Sequence, residues 1–256
     1  MNRILTFAFS LFLLQPPSLL LSQDKQKWMT GIEAGFDFSA CQEPGEDYIR
    51  EDRTLYGSGN AMSSLQALMN RTHFGVRREL FLKDGRYGLS AGLRIAKSET
   101  TLGKNDYWGE SSQYFFLLYK QDGLTTSYLR VKSMEEKCLY LGIPLEIRVF
   151  PYPAEGKQIY FKAGTEVNFL LNSDVHVSFY DPGMNRYAAD TEDMPEKPAA
   201  VESRLYGAIG INFPREEKAD IILELALPVL YLTTKSSGLA DPVFATGLNV
   251  SMMFPF

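Results

Sequence analysis

Apolar side chains return at every second position in one segment after another of this chain. Trp28, Thr30, Ile32, Ala34, Phe36 and Phe38 alternate with Gly31, Glu33, Gly35, Asp37 and Ser39. Successive side chains of a strand point to opposite faces, so this spacing predicts a strand with one greasy and one polar face. The same alternation covers 72–80, 87–96, 139–149, 159–169, 205–213 and 221–229. In the seventh segment Ile221, Leu223, Leu225, Leu227 and Val229 share the apolar face. The chain closes on an eighth, where Leu248, Val250, Met252, Phe254 and Phe256 oppose Gly247, Asn249, Ser251, Met253 and Pro255. Each segment has about the ten residues that a tilted strand needs to cross a bilayer.

The connections alternate in length. Lys83-Asp84-Gly85 reads as a tight turn, and 152–157 and 214–218 are also short. The stretches 41–71, 100–137, 173–201 and 233–244 are longer. Short turns at one rim and long loops at the other is the arrangement of an outer-membrane barrel. The expected fold is therefore all-β: an eight-stranded antiparallel up-and-down transmembrane β-barrel with short periplasmic turns and long extracellular loops. Residues 113–132 read as a hairpin within the second long loop, extending above the membrane. The alternative is a ten-stranded barrel.

Lipid cannot satisfy backbone N–H and C=O groups, so a sheet in a membrane has to close on itself. Its inward face here carries both signs of charge: Glu33, Asp37, Arg77, Glu79, Arg94, Glu146, Arg148, Lys162, Glu166, Arg204 and Glu224. An ion-pair network plugging the lumen is expected, since a narrow ring is filled by side chains. Arg78 and Lys97 fall on the apolar face, where a midplane charge costs about 2–4 kcal/mol, so both belong near the rims. Pro144 and Pro228 each remove a ladder donor and suggest bulges.

Residues 1–22 have the parts of a secretory signal: Arg3, an apolar run over 4–14, and a small residue, Ser22, before the expected cut. The domain proper is then 23–256. An uncleaved anchor is the alternative, though Pro16 and Pro17 interrupt the run. Removing Arg3 leaves 25 of the 26 Lys and Arg against 31 Asp and Glu, which argues against a nucleic-acid partner.

Little in the chain reads as chemistry. Cys41 and Cys138 both point inward at the long-loop rim, and a disulfide between them is weighed equally against two free thiols. His73 faces inward near that rim without the nucleophile and acid that catalysis needs. His176 beside Asp174 lies in the third long loop with too few ligands for a metal. The acidic stretch 180–198 reads as a mobile surface loop. No catalytic residue, cofactor site or metal site is expected.

The stretch Tyr140-Leu141-Gly142-Ile143-Pro144-Leu145-Glu146-Ile147 resembles the Leu-x-Ile-Pro-Leu strand of Bacteroidetes outer-membrane barrels, the PorT-like and small OmpA-like group. Residues 162–167, 207–213 and the closing 249–256 share that resemblance. It implies a location and a fold, with roles in secretion, adhesion or envelope maintenance among its members. The partners implied are outer-membrane lipid, the barrel-assembly machinery, and an extracellular or periplasmic protein. The leading expectation is a non-enzymatic barrel acting through its outer loops. A small pore and a secreted, lipocalin-like binding barrel with an apolar interior are the alternatives.

Overall fold

The computed structural model describes residues 27–42, 49–50, 65–82, 86–104, 114–122, 125–151, 156–214, 219–233 and 236–255. The expected signal, the Lys83-Asp84-Gly85 turn and Phe256 lie outside them. The strands in chain order are β1 (Lys27–Gln42), β2 (Ile49–Arg50), β3 (Leu65–Leu82), β4 (Tyr87–Lys104), β5 (Phe115–Asp122), β6 (Thr125–Val149), β7 (Gln158–Phe179), β8 (Val201–Phe213), β9 (Asp220–Tyr231) and β10 (Asp241–Pro255). Between β7 and β8 come a 3-10 turn (Pro182–Tyr187) and a short helix, α1 (Ala188–Glu192). Among the described residues no helix is long and apolar enough to cross a membrane.

Eight of these strands close into an antiparallel ring. The order is β6-β4-β3-β1-β10-β9-β8-β7, and β7 pairs back to β6. The first and last strands meet with Ala34 opposite Val250 and Phe36 opposite Leu248. The start of β1 and the end of β10 lie at the rim of the short connections, where Met29 pairs Pro255. Among the described residues β5 pairs only β2 and the first part of β6. The expected hairpin therefore rises above a ring of eight strands, and the ten-strand alternative does not hold.

The ring is turned inside out relative to a soluble core. Leu145, Ile209, Leu223, Leu248 and Val250 point outward, while Arg94, Glu166 and Glu224 are buried inside. An apolar-lined binding barrel is excluded by these directions. Outside, the apolar belt ends toward the long-loop rim in charged pairs: Lys97 with Glu99 at 2.5 Å and Lys137 with Glu135 at 3.7 Å. At the other end Arg78 lies over the Trp28 ring at 4.6 Å.

Two prolines behave differently. β9 carries one extra residue beside Pro228, shown by the register shifts against both β8 and β10. Beyond that bulge the alternation changes phase, so Val229 points inward and Leu230 outward. The placement of Val229 on the outer face is thereby corrected, because strict alternation does not survive an extra residue. Pro144 causes no bulge. The register is the same at Ala91–Leu145 and at Arg94–Gly142, and Gly92 gives the ring of Pro144 its room.

The expected disulfide is absent. Cys41 and Cys138 are both free. β3 and β4 intervene between their strands, and neighbouring strands stand about 4.8 Å apart, which takes the two Cα atoms past the about 7 Å that a bridge can span. Cys138 packs with Ala96 and Tyr140 instead.

Two aromatic side chains lie flat against glycines of the neighbouring strand. The Tyr206 ring covers Gly164, where an added Cβ would come within 2.9 Å of it, and Tyr160 covers Gly210 even more closely. Gly210→Val should displace Tyr160 and cost about 1–3 kcal/mol in urea unfolding of the refolded protein. Gly103→Ala, which meets nothing closer than 3.6 Å, should stay within about 0.5 kcal/mol of the parent.

Candidate functional site

Alternation brings charged residues from seven of the eight strands into one interior. Arg71 and Arg77 come from β3, Arg94 from β4, Glu146 and Arg148 from β6, Lys162 and Glu166 from β7, Glu202 and Arg204 from β8, and Glu224 from β9; β1 adds Glu33 and Asp37, and β3 adds Glu79. All are buried. The six basic groups (Arg71, Arg77, Arg94, Arg148, Lys162, Arg204) nearly cancel the seven acidic ones (Glu33, Asp37, Glu79, Glu146, Glu166, Glu202, Glu224).

Arg94 is the hub. Its Nε and one terminal nitrogen donate to the two oxygens of Glu33 at 2.5 and 3.0 Å. The same guanidinium reaches Glu146 at 2.8 Å and Glu166 at 2.7 Å. Glu166 also accepts from Arg204 at 3.0 Å and Arg71 at 3.3 Å. Toward the short-turn rim Arg148 joins Glu79 at 2.9 Å to Glu224 at 2.7 Å. Lys162 bridges Glu146 at 3.1 Å and Glu224 at 2.5 Å. Tyr206 donates to Glu146 at 2.8 Å, and Tyr160 donates to Glu224. Toward the long-loop rim Arg71 meets Glu202 at 2.7 Å, and Arg204 meets Asp37 at 3.0 Å. Desolvating a charge is expensive, so a dry charged interior requires this density of partners. Arg77 is the loosest member: its guanidinium stands 3.5–3.6 Å from Glu33, Glu146 and Glu224 and its Nε faces Met253 Sδ at 3.2 Å.

Arg71 and Glu202 were missed because Arg71 was assigned to the 41–71 loop and Glu202 fell between the 173–201 loop and the sixth segment. The signal was there: Arg71 is in phase with His73, and Glu202 with Arg204. His73 lies mid-strand beside a cavity of about 30 Å³ shared with Asp37, Arg94 and Arg204, room for about two waters. Neither of its ring nitrogens has a hydrogen-bond partner among the described residues.

Apolar clusters close both ends of this charged column. Met29, Phe150, Tyr160, Ile222 and Met253 fill the short-turn end. At the other, the underside of the β5–β6 hairpin (Phe115, Leu117, Leu129, Val131) packs on Leu65, Leu102, Met134 and Val177. The stretch 180–198, expected as a mobile loop, instead carries the 3-10 turn and α1 and sends Met184, Tyr187 and Met194 into this cap. His176 belongs to β7 rather than to a loop, and its Nδ1 lies 3.3 Å from Glu192. The 236–240 segment dips into the mouth. Ser237 donates to Glu136 at 2.5 Å, the Gly238 amide at 2.9 Å, and Tyr140 donates to the Ser236 carbonyl at 3.1 Å. Leu239 and Ala240 are buried behind them.

No protein-family model matches the chain, and no curated protein matches it. Among solved structures it is similar to the outer membrane protein OprG from Pseudomonas aeruginosa, at 13% identity over 88% of this chain and 95% of that one, with a TM-score of 0.43. It is also similar to Ail, the attachment invasion locus protein of Yersinia pestis, at 11% identity over 90% and 99% of the two chains, with a TM-score of 0.37. Likenesses this distant carry no argument about what the chain does. Among the described residues no three His, Cys, Asp or Glu side chains gather as a metal site.

Two predictions follow from this geometry. Arg94→Met leaves Glu33, Glu146 and Glu166 short of a shared cation and should cost about 3–5 kcal/mol in urea unfolding. Glu136, above the apolar belt, is pushed up from the usual carboxylate range by burial, with Ser237 and Gly238 opposing. A carboxyl raised by folding stabilises fully below its unfolded value, and that contribution is lost as pH rises through the folded one. Hydrogen-exchange protection of the Gly238 and Leu239 amides, corrected for intrinsic rate, should therefore fall as pH rises from mildly acid to neutral. Glu136→Gln should flatten that dependence.

Proposed function

We propose that the chain is an outer-membrane β-barrel with a plugged lumen, acting through its extracellular cap rather than as a pore or an enzyme. One observation carries this reading: the closed ring is apolar outside and ionic inside. Water favours the opposite arrangement, whereas lipid favours this one. The periplasmic rim is then the one with short turns, the start of β1 and the end of β10, and β10 is the strand offered to the barrel-assembly machinery. The Leu141–Leu145 stretch keeps the PorT-like and small OmpA-like Bacteroidetes group as the family we infer.

The plug reading is supported by the dense ion pairing of the interior, where the cavity beside His73 holds about 30 Å³, and by the apolar clusters at both ends. An interaction role is supported by the upper surface of the cap. Tyr114 packs edge-on against Phe116 and at a tilt against Tyr180, with centroid distances of 5.5 and 5.0 Å, and Arg130 lies 5.5 Å over Tyr114. Aromatic and arginine side chains are the types that anchor protein interfaces.

The test is fractionation, a gel with and without boiling, and planar-bilayer recording. The protein should partition with outer membranes, migrate faster unboiled than boiled, and give no discrete conductance steps. Reproducible steps from the folded species would favour the small-pore reading.

A further inference from the structure

A groove of about 730 Å³ runs across the outer face of the ring near the short-turn rim. Its walls are Leu80, Leu89, Leu145 and Ile147, its floor is opened by the small side chains Ala91 and Ala163, and Trp28 with Arg78 stands at one end. Arg78 differs from the two lysines at the opposite edge of the belt. Lys97 has Glu99 and Lys137 has Glu135, but no carboxylate pairs with Arg78 among the described residues. Its guanidinium covers the Trp28 ring, and its Nε is buried without an acceptor.

A planar cation with an unmet donor, fixed over an aromatic ring at the mouth of an apolar trench, suits one kind of occupant. An anionic phosphate would supply the missing acceptors, because a guanidinium binds phosphate oxygens in pairs. An acyl chain would fill the trench. We propose that this groove binds one glycerophospholipid of the leaflet at the short-turn rim, its phosphate on Arg78 and one acyl chain along Ala91 and Ala163. The proposal rests on the membrane reading above and adds a specific lipid site to it. Without such a partner Arg78 carries an uncompensated charge on a face that otherwise meets hydrocarbon, which costs more the deeper it sits.

The test is native mass spectrometry of the full chain in detergent micelles, titrated with phosphatidylglycerol or with diacylglycerol of the same acyl chains. The wild type should retain one phosphatidylglycerol and little diacylglycerol. Arg78→Gln should weaken retention by about tenfold, the loss of one charge-assisted contact. Ala163→Phe, which fills the trench and leaves the cation, should weaken it as well. Equal retention by wild type and by either variant, with both still compact before boiling, would overturn the site. So would a wild type that holds the two lipids equally. In those cases the barrel reading stands, since it falls only if the wild type itself shows no heat-dependent mobility and no membrane partition.

Discussion

Closure of the sheet is the constraint on which everything else here depends. A strand carries a donor and an acceptor at nearly every residue, and an open sheet leaves two edges of them unpaired. When β1 meets β10 and β6 meets β7, the ring has no such edge. Backbone polarity is then satisfied without water, and the side chains are free to invert the usual arrangement. That inversion is affordable on the inside only because the charges satisfy one another. Glu166, fully buried, takes bonds from three arginines, and Arg94 gives bonds to three glutamates.

The interior also explains why so many inward positions are glycine or tyrosine. Eight strands leave a narrow lumen, which long arginines and glutamates crowd. Gly164 and Gly210 let Tyr206 and Tyr160 lie flat, so that their hydroxyls reach Glu146 and Glu224 while their rings flank Lys162 and Arg148. Apolar clusters at either end then keep water from the column. The upper cluster is built from parts that alternation alone does not connect: a hairpin, a 3-10 turn with a short helix, and the dipping 236–240 segment.

Most of the ring was legible in the residues, since period-two alternation is the direct imprint of a sheet whose two faces meet different surroundings. The strand ends were less so. β3, β6 and β7 run on well past the apolar belt, because their upper halves pack under the cap instead of against a lipid-like surface, and this hid Arg71 and moved His176 from loop to strand. Val229 was misplaced since one residue added beside Pro228 reverses every direction after it, and the sequence marks the proline but not whether it bulges. Pro144, of the same type, keeps its register because Gly92 faces it. The Cys41–Cys138 pairing failed for a topological reason: parity puts two side chains on one face without saying how many strands lie between them. Which carboxylate each arginine selects depends on depth along the ring axis, and alternation carries no information about depth.

The central claim is that the belt of Leu145, Leu223 and Val250 touches acyl chains. Spin labels at single cysteines in a background where Cys41 and Cys138 are serine test it directly, by comparing collisions with oxygen and with a water-soluble nickel chelate in liposomes. Labels at these three positions should meet oxygen readily and the chelate hardly at all. Labels there that collide chiefly with the chelate would show that water bathes this face and would contradict it.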